Sequence, residues 1–146
     1  MSLTNTAEAA LLDLLFLNTD WALIGDAGGL QNSATAGSFY ISLHTANPDE
    51  TGDQTTSEVA YTSYARVAVA RSGAGWTRSV STMSNTALVQ FPQCTGSTAT
   101  ATHFGIGTAS SGAGSLLLKG ALSASLSISN GIQPQFAAAA LTATVD

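Results

Sequence analysis

From Leu122 to Ser129 an apolar or small residue at every even position (Leu122, Ala124, Leu126, Ile128) faces a serine at every odd one. This period of two is the pattern of a half-buried β-strand. Asn130-Gly131 follows directly, and that pair predicts a two-residue type I′ hairpin with the chain folding back through Ile132 to Phe136. A second run of the same period starts at Phe39: Phe39, Ile41 and Leu43 fall on one face, Tyr40, Ser42 and His44 on the other. Further strands are predicted over Arg66 to Arg71, Trp76 to Val80, Leu88 to Phe91, Thr98 to Ile106, Leu116 to Leu118 and onward, and Leu141 to Val145. Turn chemistry separates them, notably Asn47-Pro48 through Gly52-Asp53 and the glycine-rich stretches 72–75 and 110–114.

The period changes near the N-terminus. Leu11, Leu14 and Leu15 share one helical face, flanked by Leu12 and Phe16, and Asn5 with Glu8 three residues on reads as a helix start. A helix over about 6–17 is expected. The glycine-rich stretch Gly25 to Gly37 reads as a loop that separates this helix from the strands. The patterns together predict a mainly β chain: an antiparallel β-sandwich of jelly-roll type over 38–146, with an N-terminal α-helical arm over 1–37.

At 146 residues the chain is long enough for a single domain with a sizeable core and no staples. Cys94 is the only cysteine, so no internal disulfide forms, which fits synthesis in a reducing cytoplasm. Only 9% of residues are charged, and Ala, Ser, Thr and Gly dilute the large aliphatics. Such a neutral, hydroxyl-rich surface suits packing against neighbouring subunits. Four basic residues (Arg66, Arg71, Arg78, Lys119) face nine acids, which gives a net charge of -5. With no basic cluster to neutralise phosphates, nucleic acid is not expected as a partner. No apolar run reaches the length of a membrane span, and no secretion signal is recognisable before Asp13.

Candidate chemistry is sparse. His44 beside a turn carrying Asp49 invites a Ser-His-Asp reading, but no nucleophile element of the Gly-x-Ser-x-Gly kind accompanies it, so His44 is expected at the surface or bracing a turn. Cys94 with His103 lacks a helix N-terminus to activate the thiol, and a buried structural thiol is expected. Asp49, Glu50, Asp53 and Glu58 do not meet EF-hand spacing, because the twelfth position counted from Asp49 is Ala60. A solvated acidic loop is expected, with no metal and no cofactor. Gly105 and Gly107 read as close-packing or bulge positions. Tyr61, Tyr64 and Trp76 with Arg66 are residue types that anchor interfaces, and Leu11, Leu15 and Phe16 of the helix complete the candidate interface set. A carbohydrate-binding module is a rival reading that requires exposed aromatics such as Tyr40, Tyr61 or Trp76.

Read in order, Phe39 to Pro48, Thr56-Ser-Glu-Val59, Tyr64 to Val69, His103-Phe-Gly-Ile106, Gly114 to Leu122 and Phe136 to Asp146 resemble small tailed-bacteriophage virion proteins commonly labelled tail-fibre or tail proteins. The resemblance covers nearly the whole chain and departs from it at the Gly25 to Gly37 insertion. It implies a non-enzymatic virion structural subunit, assembled in the host bacterial cytoplasm, whose partners are copies of itself, with a trimer as a natural closed ring, and the phage major capsid or tail proteins. Compactness, with no fibrous repeat or second domain, favours capsid decoration or cementing over a tail-fibre or baseplate position.

Overall fold

The computed structural model describes residues 2–145 apart from residues 23, 26 and 27. It is mainly β, with several antiparallel sheets and one short N-terminal helix, the class expected and one consistent with a β-sandwich. The elements are α1 (Asn5–Phe16), β1 (Ser38–His44), β2 (Val67–Ala70), β3 (Trp76–Ser79), β4 (Thr82–Asn85), β5 (Val89–Gln90), β6 (Ala99–Gly107), β7 (Leu116–Ile128), β8 (Gln135–Phe136) and β9 (Thr142–Thr144). Two compact units interleave along the chain: Met1–Ser38, Ala70–Leu88 and Phe136–Asp146 form one, Phe39–Val69 and Val89–Gln135 the other.

The first unit sets α1 against the sheet β3-β4-β9. Thr4 caps the helix in place of Asn5: its backbone is extended and its Oγ1 accepts from Ala7 N at 3.4 Å. The buried stripe is Glu8, Leu12 and Phe16, at i, i+4 and i+8, and the leucines expected to face inward, Leu11, Leu14 and Leu15, are only half-buried. Phe16 selects this face by meeting Trp76 edge-on, with ring centroids 4.7 Å apart. At the C-terminal end the helix has no basic residue of its own, and Arg71 supplies the charge from the sheet side. Its guanidinium donates to the carbonyls of Leu15 (2.6 Å), Leu14 (2.8 Å) and Ala36 (3.1 Å), where free carbonyls and the helix dipole both favour a cation. Arg78 pairs with Asp13 at 2.6 Å. Asn18, at φ 53, ends the helix and ties the following loop by exchanging hydrogen bonds with Ser33, while Trp21 bridges Leu30. Residues 26 and 27 of the glycine-rich loop lie outside the described ones.

β4, which the pattern did not predict, pairs β3 through the two-residue turn Val80-Ser81 and pairs β9 on its other side. Asn85 locks the closing segment, donating to Ala87 O and Ala137 O and accepting from Leu141 N. Val80 has φ 55 and is 67% exposed. A β-branched side chain in this left-handed region is strained, and at that exposure little packing compensates it.

The second unit contains the four-stranded sheet β2-β1-β6-β7, with β6 antiparallel to both β1 and β7. β7 contains the alternating run from Leu122 as far as Ile128, but its register with β6 breaks there. Ala121 is opposite His103 and Leu126 is opposite Ala101, so residues 122–125 face Thr102 alone in a wide bulge. The expected hairpin is corrected as well. The 129–132 turn closes with Ile132 N donating to Ser129 O, but only Gly131 has positive φ, the arrangement of a type II turn and not of type I′. The chain leaving it forms β8 beside β5 and does not return along β7.

The strained hairpin tip yields a stability prediction. Replacing Val80 by Asn or Gly should raise the unfolding free energy by about 1 kcal/mol, read as a higher denaturant midpoint with unchanged slope; an unchanged or lower midpoint counts against strain at that turn.

Candidate functional site

The densest polar chemistry lies in the second unit, where the loop following β1 returns to the sheet. β1 ends in Ser42, Leu43 and His44, all with essentially no exposed surface. His44 Nδ1 lies 2.8 Å from Thr56 O, and its Nε2 lies 2.8 Å from Ser42 Oγ. A carbonyl only accepts, so the proton is assigned to Nδ1, and the neutral ring accepts at Nε2 from the Ser42 hydroxyl. His44 is thus a turn-bracing residue and not a surface one. Burial holds its pKa below the usual 6.5, against the Thr56 carbonyl and Glu58, which pull it upward, and with Arg66 and His103 opposing protonation.

The pair Ser42 and His44 has the spacing of a nucleophile and its base, but both are sealed. Gly105, on β6, lies directly opposite Ser42, and a methyl group there would stand 2.5 Å from Leu116 Cδ1, 2.7 Å from Ser42 Oγ and 2.8 Å from His44 Nε2. The third partner is a backbone carbonyl, where a triad holds a carboxylate. Asp49, the carboxylate a Ser-His-Asp reading would need, is exposed in the turn.

Glu58 departs most clearly from the solvated loop expected for it. Its side chain is 16% exposed and receives a two-pronged bond from Arg66, Nε to Oε1 and Nη2 to Oε2, both at 2.7 Å. Tyr64 donates to the same Oε1 at 2.8 Å and accepts from Leu43 N at 3.1 Å. Arg66, 2% exposed in its side chain, also donates to Ala109 O at 2.9 Å and Gly112 O at 2.8 Å. The Glu58 bond raises the Arg66 pKa, and burial raises that of Tyr64. Gln54, a fully buried residue that the sequence reading passed over, accepts from Ala109 N and donates to Tyr40 O. Gly107 and Gly114 pack against its amide, the close-packing role expected for Gly107.

The other candidates are also engaged within their own units. Tyr61 is buried, stacks edge-on with Tyr64 and donates to Pro92 O at 2.9 Å; burial pushes its pKa up to about 12. Trp76 and Phe16 are buried in the first unit, so the candidate interface residues are divided: Tyr61, Tyr64 and Arg66 belong to one unit, Trp76 and Phe16 to the other. Leu11, Leu15 and Tyr64 are half-buried. Tyr61 and Trp76 therefore offer no platform for a sugar, and Tyr40 is half-buried. Cys94 is a buried free thiol bonded to Gly96 O, and His103 Nδ1 meets Thr102 Oγ1. Among the described residues no three His, Cys, Asp or Glu side chains gather as a metal site, and no helix is long and apolar enough to cross a membrane.

Two measurements check this core. Below about pH 6.5 the unfolded chain protonates His44 before the native state does. Stability is therefore complete above that pH and falls as pH drops toward the lowered native pKa. Replacing His44 by Gln should flatten the unfolding free energy between pH 6.5 and the carboxylate range; an unaltered slope removes the histidine from the account. Gly105→Ala should cost about 1–3 kcal/mol through overpacking, whereas Gly73→Ala, with open space around it, should stay within about 0.5 kcal/mol. Equal effects at the two sites would contradict the tight contact at Gly105.

No curated protein gives a significant match. The family model described as podophage GP4 fiber I protein gp80 matches residues 2–144. With that match covering almost its whole length, on a mainly β fold whose polar groups are turned inward to brace loops, the chain belongs to the podophage GP4 fiber I protein gp80 family and is a phage virion structural protein.

Proposed function

We propose that this chain is a structural subunit of the phage tail fibre apparatus, acting through assembly contacts with virion proteins and with copies of itself. The observation that carries this reading is the family match over residues 2–144, whose description names a fiber protein. It supports the fibre position over capsid decoration, which rested on compactness and on the lack of a fibrous repeat or second domain. The buried chemistry agrees with an assembly role: Ser42, His44, Glu58 and Arg66 all serve as internal braces. In a repeated assembly, weak contacts add by avidity, so a subunit with few charges still attaches firmly. The partners are the phage's own tail or capsid proteins, and the site of action is the virion, assembled in the host bacterial cytoplasm.

Quantitative mass spectrometry of purified particles, combined with antibody labelling in electron micrographs, tests the position. The expected result is a copy number far below that of the major shell protein, with label on the fibres. Stoichiometry comparable with the shell protein and label over the head would reinstate decoration.

A further inference from the structure

Asn130 carries chemistry that no structural role absorbs. The chain has six asparagines, and five are protected. Asn5 lies in the first turn of α1, where helical geometry fixes the following amide. Asn47 precedes Pro48, which has no N–H to act as a nucleophile. The side chains of Asn18, Asn32 and Asn85 are held by hydrogen bonds to backbone carbonyls. Asn130 and Gly131 are exposed, no hydrogen bond holds the Asn130 side chain among the described residues, and the following residue has no side chain to obstruct approach.

We propose that Asn130 is a self-modification site that undergoes succinimide formation and hydrolysis, and that this loosens the turn over Cys94. The Gly131 nitrogen attacks the Asn130 side-chain carbonyl carbon, a new C–N bond forms, and the side-chain amide leaves as ammonia. Water then opens the ring at either carbonyl, giving aspartate or isoaspartate, with no oxidant or reductant involved. In the folded chain the nucleophilic nitrogen is engaged, since Gly131 N–H donates to Cys94 O at 2.8 Å. The reaction therefore proceeds through local opening of an exposed turn, slower than in a free peptide but ahead of the other five asparagines.

The consequence follows from the same bonds. Cys94 N donates to Ile132 O at 2.9 Å, and Gln93 Nε2 donates to Gly131 O at 2.8 Å, so the turn backbone is tied on both sides of Gly131 to the segment carrying the buried thiol. Isoaspartate adds one backbone atom between Ser129 and Gly131 and a negative charge. The Cys94 and Ser129 hydrogen bonds of the turn cannot both keep their geometry with that extra atom. Cys94, 1% exposed in the unmodified chain, then becomes accessible.

Incubating the full chain in mildly alkaline buffer, with peptide mapping and thiol labelling over time, tests both parts. The expected result is a mass gain corresponding to replacement of –NH2 by –OH that appears first at Asn130, with isoaspartate in the product and Cys94 labelling rising in parallel. Asn130→Gln should abolish both changes. Asn130→Asp, which adds the charge at once but closes the succinimide far more slowly because its ionised carboxylate resists attack, should hold labelling near its starting level over the time in which Asn130 converts, and circular dichroism of the two variants checks their folding. First modification at another asparagine, or none at Asn130, overturns the site. Labelling that does not follow isoaspartate, or that rises equally in Asn130→Asp, overturns the coupling to Cys94.

Discussion

The second unit depends on one ion pair. Arg66 and Glu58 meet through two bonds of 2.7 Å in a largely dry setting, and each makes further bonds: Arg66 to the carbonyls of Ala109 and Gly112, Glu58 to the Tyr64 hydroxyl. The pair joins three stretches that are distant in sequence: the loop after β1, the approach to β2 and the glycine-rich turn before β7. Desolvating two charges costs several kcal/mol, and only dense hydrogen bonding of this kind offsets it. Its value lies in fixing the position of the 45–58 loop, which His44 secures through Thr56 and Gln54 through Ala109.

The same economy governs the other cations. Arg71 closes the end of α1, Arg78 holds Asp13, and Lys119 pairs with Glu50. All four basic residues are committed to acceptors within the chain, which leaves the excess acids to set the surface charge. A chain that pairs its arginines internally has its positive charge committed to bracing its own loops. This division is compatible with a virion structural protein.

Much of the β framework was legible because apolar side chains recur with period two on a sheet face, as over Phe39, Ile41 and Leu43, although the other face of β1 is itself buried at Ser42 and His44. Structure departs from pattern where a second interaction overrides it. Leu122 to Ser129 alternates cleanly, yet residues 122–125 bulge away from β6, and alternation does not specify which neighbour a strand keeps. Asn130-Gly131 announced a turn but not its type, since the chain continues to pair with β5. In α1 four leucines competed for the inward face, and the Phe16 and Trp76 contact, made across 60 residues of sequence, decided for Leu12. Glu58 and His44 looked like exposed polar residues because their partners, Arg66 and the Thr56 carbonyl, become visible only when the loop is folded. Gln54 gave no signal at all: a neutral amide among acids and threonines is indistinguishable from an ordinary loop residue until the glycines opposite it are located.

A double-mutant cycle at Arg66 and Glu58 tests the organising role of the ion pair most directly, with Arg66→Met, Glu58→Gln and the combination compared by denaturant unfolding. Either single change should cost about 3–5 kcal/mol by stranding a buried charge or its acceptors, and the pair should show a coupling of about 2–3 kcal/mol, the double variant regaining part of the loss. Single losses below about 1 kcal/mol with coupling near zero would place the pair among ordinary surface salt bridges and contradict the account.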